Sequence, residues 1–268
     1  MKFIFYLLTV FALTNCQGQT TNTKQKTTNA TNSKSSSVAV ITDVKIRNDF
    51  RFPSISLTDK TIASKINTYL ISSSLGDEFT VTNLKSKLLQ ESKNSQGLTM
   101  ITFKIIVNTP TVLSLTISSC YTGAHDNCGD AQYNFDLTTG YNFTLDQVIT
   151  PSKWQDIIKL ICADSKKRLL DAKNKAKKEM GSSWMEKDFL DKSYESQWLE
   201  EYNKLQYCGI QVNKDFKLSN TGIGFYFYSM GFLSMADINY APSAEYFYSW
   251  ETLKPYLIQY SPISNLIK

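Results

Sequence analysis

The residues able to do chemistry are gathered in one stretch, Cys120-Tyr121-Thr122-Gly123-Ala124-His125-Asp126-Asn127-Cys128. It holds the single histidine of the chain and two of its five cysteines. Acid–base work would use His125 with Asp126, Asp130 or Asp136. Nucleophilic work would pair His125 with a thiolate at Cys120 or Cys128. A zinc site of the two-histidine hydrolase kind is excluded by the lone histidine. No Gly-x-Ser-x-Gly elbow occurs to present a serine nucleophile. The bland alternative is that the imidazole nitrogens of His125 hold a turn together by hydrogen bonds. That alternative is the expectation: a binding loop formed by Tyr121, Thr122, Gly123, His125 and Asp126, with no catalytic residue, metal ligand or cofactor.

The remaining cysteines say where such a loop would work. Residues 1–16 carry one early lysine, an apolar run to Leu13, and then Leu13-Thr14-Asn15-Cys16. The run is too short to cross ~30 Å of hydrocarbon as a helix and has the length of a secretory signal core. Its end resembles the lipobox of bacterial lipoproteins, in which the cysteine becomes the acylated N-terminus. The expectation is a lipoprotein signal peptide over 1–15 and a lipid such as palmitate on Cys16. Gln17, rather than aspartate, follows that cysteine, which implies the outer membrane, facing the periplasm. With Cys16 lipidated, Cys120, Cys128, Cys162 and Cys208 remain, and an even number in an oxidising compartment points to disulfides. Three connectivities are possible. The favoured one is Cys120–Cys128 with Cys162–Cys208, the second closing a long loop worth roughly 3–4 kcal/mol.

The elements that must position the loop follow from periodicity. Residues 16–37 contain no large apolar side chain and read as a disordered tether. Val38–Ile46 and Arg51–Ile55 read as strands. Thr58 or Asp59 caps a helix with Ile62, Ile66, Tyr69 and Leu70 on one face. Val81, Leu84, Leu88 and Leu89 mark a second helix. Ile101, Phe103, Ile105 and Val107 alternate, as do Leu113, Leu115 and Ile117, with Asn108–Thr111 as a turn between them. Tyr133, Phe135 and Leu137 alternate beyond the loop, and a short strand is expected over Tyr141–Leu145. From Trp154 the period becomes helical. A helix over roughly 183–205 is expected from Leu190, Tyr194, Trp198 and Tyr202, whose stripe reads as a core seam. Strands return at Phe216–Leu218, Ile223–Tyr228 and Tyr246–Tyr248. The apolar loop Met230–Ser243 lies between the last two, and Ser249 caps a final helix. The layout is α+β, with antiparallel sheets and packed helices.

Charge narrows the partners. The 29 basic and 24 acidic residues give a net charge of +5. Setting aside Lys2, Lys24, Lys26 and Lys34 in the leader and tether leaves 25 basic against 24 acidic residues. A near-neutral body offers no footprint for nucleic acid. The one basic run, residues 166–178, reads as the solvated face of a helix.

Taken together, Tyr121-Thr122-Gly123-Ala124-His125, the strand and turn Asn134-Phe135-Asp136-Leu137-Thr138-Thr139-Gly140, the segment Phe216-Lys217-Leu218-Ser219-Asn220-Thr221-Gly222-Ile223-Gly224-Phe225-Tyr226-Phe227, Ala241-Pro242, and the ending Trp250–Leu257 resemble the PdaC/RsiV-like extracytoplasmic domains. The likeness spans roughly residues 40–260. It implies a PdaC-like domain over 38–150 followed by an RsiV-like domain over 151–268. The loop lacks one of the family's two glycines and gains Cys120 and Cys128. Relatives occur as anti-sigma-factor sensor domains, one of which recognises lysozyme, as partners of peptidoglycan deacetylase domains, and as stand-alone lipoproteins. The resemblance therefore implies a lipid-anchored, non-catalytic envelope protein of the stand-alone kind. Its contacts would be a peptidoglycan-type glycan or an envelope protein. The alternatives are a lysozyme binder and an envelope glycan hydrolase or deacetylase accessory.

Overall fold

The structure, a computed structural model, describes residues 38–94, 96–123, 126–185, 193–206, 213–227 and 241–267. It begins with a hairpin of β1 (Val40–Arg47) and β2 (Phe50–Ser56). The helix α1 (Lys60–Leu75) starts where Asp59 accepts from the backbone N–H of Thr61 and Ile62, which satisfies donors that the first turn leaves open. Ala63, Ile66, Leu70, Ile71 and Leu75 form its buried stripe. Asn67 pins the helix to β2: its amide accepts from Ile55 N and donates to Ile55 O, both at 2.8 Å. The shorter α2 (Leu84–Glu91) buries Leu84 and Leu88, while Val81 and Leu89 of the expected apolar face are exposed.

Three long strands follow, β3 (Gly97–Asn108), β4 (Val112–Thr122) and β5 (Asp126–Asp136). They complete a five-stranded sheet in the order β1-β2-β3-β4-β5. All its pairings are antiparallel except β2 with β3, which meet in parallel at Phe50 and Ile101 because α1 and α2 form the crossover between them. Phe50, Phe52, Ile55, Ile66, Leu70, Leu88, Ile101, Leu115 and Phe135 belong to the core between sheet and helices.

A second core begins before residue 151, with Phe143, Leu145, Val148 and Ile149. Its main helix is α3 (Trp154–Met180), entered through a 3-10 turn opened by Pro151. Helix α4 (Tyr194–Gln206) buries Trp198, as the aromatic stripe requires. A three-stranded antiparallel sheet, β6 (Asn213–Leu218), β7 (Gly222–Tyr226) and β8 (Glu245–Ser249), closes the core, and α5 (Trp250–Leu253) is capped by Ser249. At Gly222 a Cβ would fall on the carbonyl oxygen of Tyr248, so no side chain fits there. Val107 and Val112, at the turn end of the β3–β4 hairpin, belong to this second cluster. The described residues form one compact unit.

Two local expectations are corrected. Tyr141–Leu145 is not a strand: it makes one isolated bridge, Phe135 with Asn142, and then a 3-10 turn whose capping box joins Thr144 and Gln147. The helix expected from residue 183 begins at Tyr194, with a 3-10 turn at Gly181–Met185 before it; Leu190 lies outside the described residues. Among the described residues, no helix is long and apolar enough to cross a membrane.

Candidate functional site

The stretch that reads as a loop is mostly strand. β4 runs on to Thr122 and β5 starts at Asp126, so Cys120 pairs directly with Cys128 across the hairpin. The two are joined by a disulfide with Cα atoms 4.0 Å apart. The bridge is a rung between strands, not a cinch around a loop.

Pleating gives the hairpin two unlike faces. Leu113, Leu115 and Ile117 stand opposite Phe135, Tyr133 and Ala131 on the face toward the helices. The other face is a ladder of polar pairs. Ser114 Oγ donates to Asn134 Oδ1 at 2.7 Å, Thr116 Oγ1 to Gln132 Oε1 at 2.7 Å, and Ser118 Oγ to Asp130 Oδ1. The disulfide and the pair Thr122 with Asp126 continue that face to the tip. Asn134 is buried, and its amide is satisfied there by donating to Phe216 O of β6 at 3.1 Å. Asn127 to Ala131 of β5 are exposed.

Tyr121 is 41% exposed, and its hydroxyl donates to Ser74 O near the end of α1 at 3.4 Å. Ser74 Oγ also bonds the Tyr133 hydroxyl at 2.8 Å, so one residue of α1 ties both strands. Desolvation raises the Tyr121 phenol above its ordinary pKa, and the carboxylates of Glu78 and Glu91 raise it further. Thr122 Oγ1 donates to Thr99 Oγ1 at 3.4 Å. Gly123 is exposed at the end of β4. Ala124 and His125 lie outside the described residues, as do Cys16, Cys208 and residues 230–240 of the apolar loop. Cys162 is buried on α3.

Two carboxylates offered for acid–base work are engaged in structure. Asp130 accepts from Ser118. Asp136 Oδ1 accepts from Thr138 N and Thr138 Oγ1, and its Oδ2 from Thr139 Oγ1, which fixes the turn out of β5. Among the described residues, no three His, Cys, Asp or Glu side chains are placed to hold a metal ion.

A groove of about 790 Å³ runs along the solvent side of α1, walled opposite by Gly140, Tyr141 and Asn142. The residues of α1 that line it read as an ordinary polar helix face. Their only distinctive signal is the spacing of Lys60, Ser64, Thr68 and Ser72 at every fourth position.

No protein-family model matches the chain, and no curated protein matches it. Solved structures do. A member of the DUF3298 family from Bacteroides fragilis aligns with a TM-score of 0.52 at 16% identity, covering 87% of this chain and 98% of its own. The fold is similar to that of DUF3298 proteins. A DUF3298-family protein from Pseudomonas aeruginosa aligns with a TM-score of 0.45 at 13% identity, over 82% of this chain and 92% of its own. The shared architecture is α+β, with mainly antiparallel sheets and packed helices.

Proposed function

We propose that this chain is a binding protein of the bacterial envelope, of the PdaC/RsiV-like kind, with a PdaC-like part over 38–150 and an RsiV-like part over 151–268. Cys16 carries the lipid that holds it to the outer membrane on the periplasmic side. The folded body contacts a peptidoglycan-type glycan or an envelope protein and performs no catalysis. The observation that carries this reading is the Cys120–Cys128 rung on a partly exposed hairpin. An accessible cystine of this kind persists in an oxidising compartment and is reduced in a cytosol. The engagement of Asp130 and Asp136 in structural hydrogen bonds favours binding over acid–base chemistry.

Mass spectrometry of the protein from its native membrane tests the address: a diacyl or triacyl mass on Cys16 and an intact Cys120–Cys128 pair are expected. An unmodified Cys16 with a freely alkylated pair overturns it. Co-sedimentation with purified sacculi tests the glycan contact.

A specific observation also favours the lysozyme reading. Glu78 and Glu91 raise the pKa of the Tyr121 phenol, whose hydroxyl meets α1 at Ser74, so a cationic protein would dock beside the end of α1. Calorimetric titration with lysozyme tests it, and the expected heat should fall in Glu78→Gln with Glu91→Gln.

A further inference from the structure

The groove along α1 has the chemistry of a sugar site. Lys60 and Lys65 stand on its helical wall, and among the described residues neither is in an ion pair. The Lys65 ammonium sits 4.7 Å from the centroid of the Tyr141 ring, and Tyr141 as a residue is 66% exposed. One ring face is thus held by a cation, and the rest of the ring is open for the C–H surface of a pyranose. Tyr69 is the second exposed aromatic side chain, kept upright by edge-on contacts with Tyr133 and Phe135 at 6.3 and 5.8 Å.

The polar groups are set around these rings. Asn142 accepts from Asn134 N at 2.8 Å through Oδ1 and donates to the Tyr69 hydroxyl at 3.4 Å through Nδ2. Its amide orientation is therefore fixed, with one N–H left for a ligand. Ser64 and Thr68 are exposed, and among the described residues their hydroxyls make no hydrogen bond within the protein. The opposite wall is rigid. Asp136 fixes the turn, and Gly140 adopts φ +77°, where a Cβ would press on Ile62 at 3.2 Å.

We infer that this groove binds a carboxylate-bearing glycan. The tyrosine rings would carry the sugar faces, Asn142, Ser64 and Thr68 its hydroxyls, and Lys60 with Lys65 its carboxylates. The inference rests on the glycan-binding reading above and adds to it the place and the ligand class. The groove lies along α1 from Lys60 to Ser72, whereas Tyr121 of the hairpin tip meets that helix at Ser74. The carboxylates could come from the peptide stem of a peptidoglycan fragment or from the uronic acids of an acidic polysaccharide.

The test is calorimetric titration of the full chain in detergent micelles with three probes: a muropeptide bearing free stem carboxylates, an oligogalacturonate, and neutral chitotetraose. One or both acidic probes should bind, with chitotetraose about tenfold weaker, and Lys60→Gln with Lys65→Gln should remove about tenfold, the effect of two exposed ion pairs. Tyr141→Ala should weaken every probe that binds. These side chains are exposed, so an unchanged thermal melt should verify the fold of each variant. Muropeptide binding alone assigns the source to peptidoglycan; oligogalacturonate binding alone assigns it to an acidic polysaccharide. No heat with either acidic probe overturns the inference, as does equal affinity in the lysine double variant. If sacculi retain both wild type and double variant, the envelope reading stands and the groove is wrong. If oligogalacturonate alone binds and sacculi retain neither protein, the groove stands and the peptidoglycan reading falls.

Discussion

The two halves of the β4–β5 hairpin are held by different forces. Near the turn-out at Asp136, Leu113, Leu115 and Phe135 are fully buried, and the strands stay paired because separating them would expose apolar surface. Toward the tip, Asn127 to Ala131 face water, and the strands stay paired through Ser118 with Asp130 and through the covalent rung Cys120–Cys128. Burial makes the inner half part of the cooperative fold. The outer half should open as a local structure without costing the protein its core.

The largest effect should come from the inner half. Phe135→Ala removes a ring stacked on Tyr133 and touched edge-on by Tyr69, and should cost about 3–5 kcal/mol by denaturant unfolding. Next is Cys120→Ser with Cys128→Ser. The bridge spans a sequence separation of 8, so its removal should cost roughly 2–3 kcal/mol if the hairpin is the unfolding unit. Hydrogen exchange should then accelerate over residues 118–130 and stay slow at 113–117. Acceleration through the core would break the comparison. Asn134→Ala should cost about 1–3 kcal/mol, since it strands the Ser114 hydroxyl and the Phe216 carbonyl, both otherwise buried. Ser118→Ala, in the solvated half, should cost no more than about 0.5 kcal/mol.

Alkali offers a subtler contrast. Tyr121, Tyr246 and Tyr248 all have phenols raised above 10, each chiefly by desolvation. A raised folded pKa means that the folded state holds its proton more tightly, so the stability it contributes is complete below pH 10 and is lost as pH rises beyond. Tyr246 lies in the second core with no exposure, so its ionisation should coincide with global unfolding. Tyr121 should ionise before the core is lost. Difference absorbance at the phenolate band, followed beside far-UV dichroism, would separate the two.

Much of this was legible from residue order. Asp59 as a cap, the buried stripe of α1, the alternation of Leu113 to Ile117 and of Tyr133 to Leu137, and Trp198 as a core residue all follow from periods of 3.6 and 2. Residues 118–122 and 126–131 were not legible as strand. Their side chains are polar on both faces, so alternation vanishes and only the register with the partner strand marks them. The short extended pairing at Asn142 was over-read for a related reason. Tyr141 and Phe143 alternate, but the chain there has a partner only at Phe135.

What the sequence determined by itself is local: where apolar side chains recur, which residues can start or stop a helix, and which cysteines lie close enough along the chain to bond. What only the tertiary structure decided is which distant segments become neighbours. It made Cys120–Cys128 a rung between strands. It set the amide of Asn134 against β6. It brought Tyr141 and Asn142 beside Lys65 and Tyr69 to form a groove. A period records which way a side chain faces, and a concave site depends on what the fold brings opposite it.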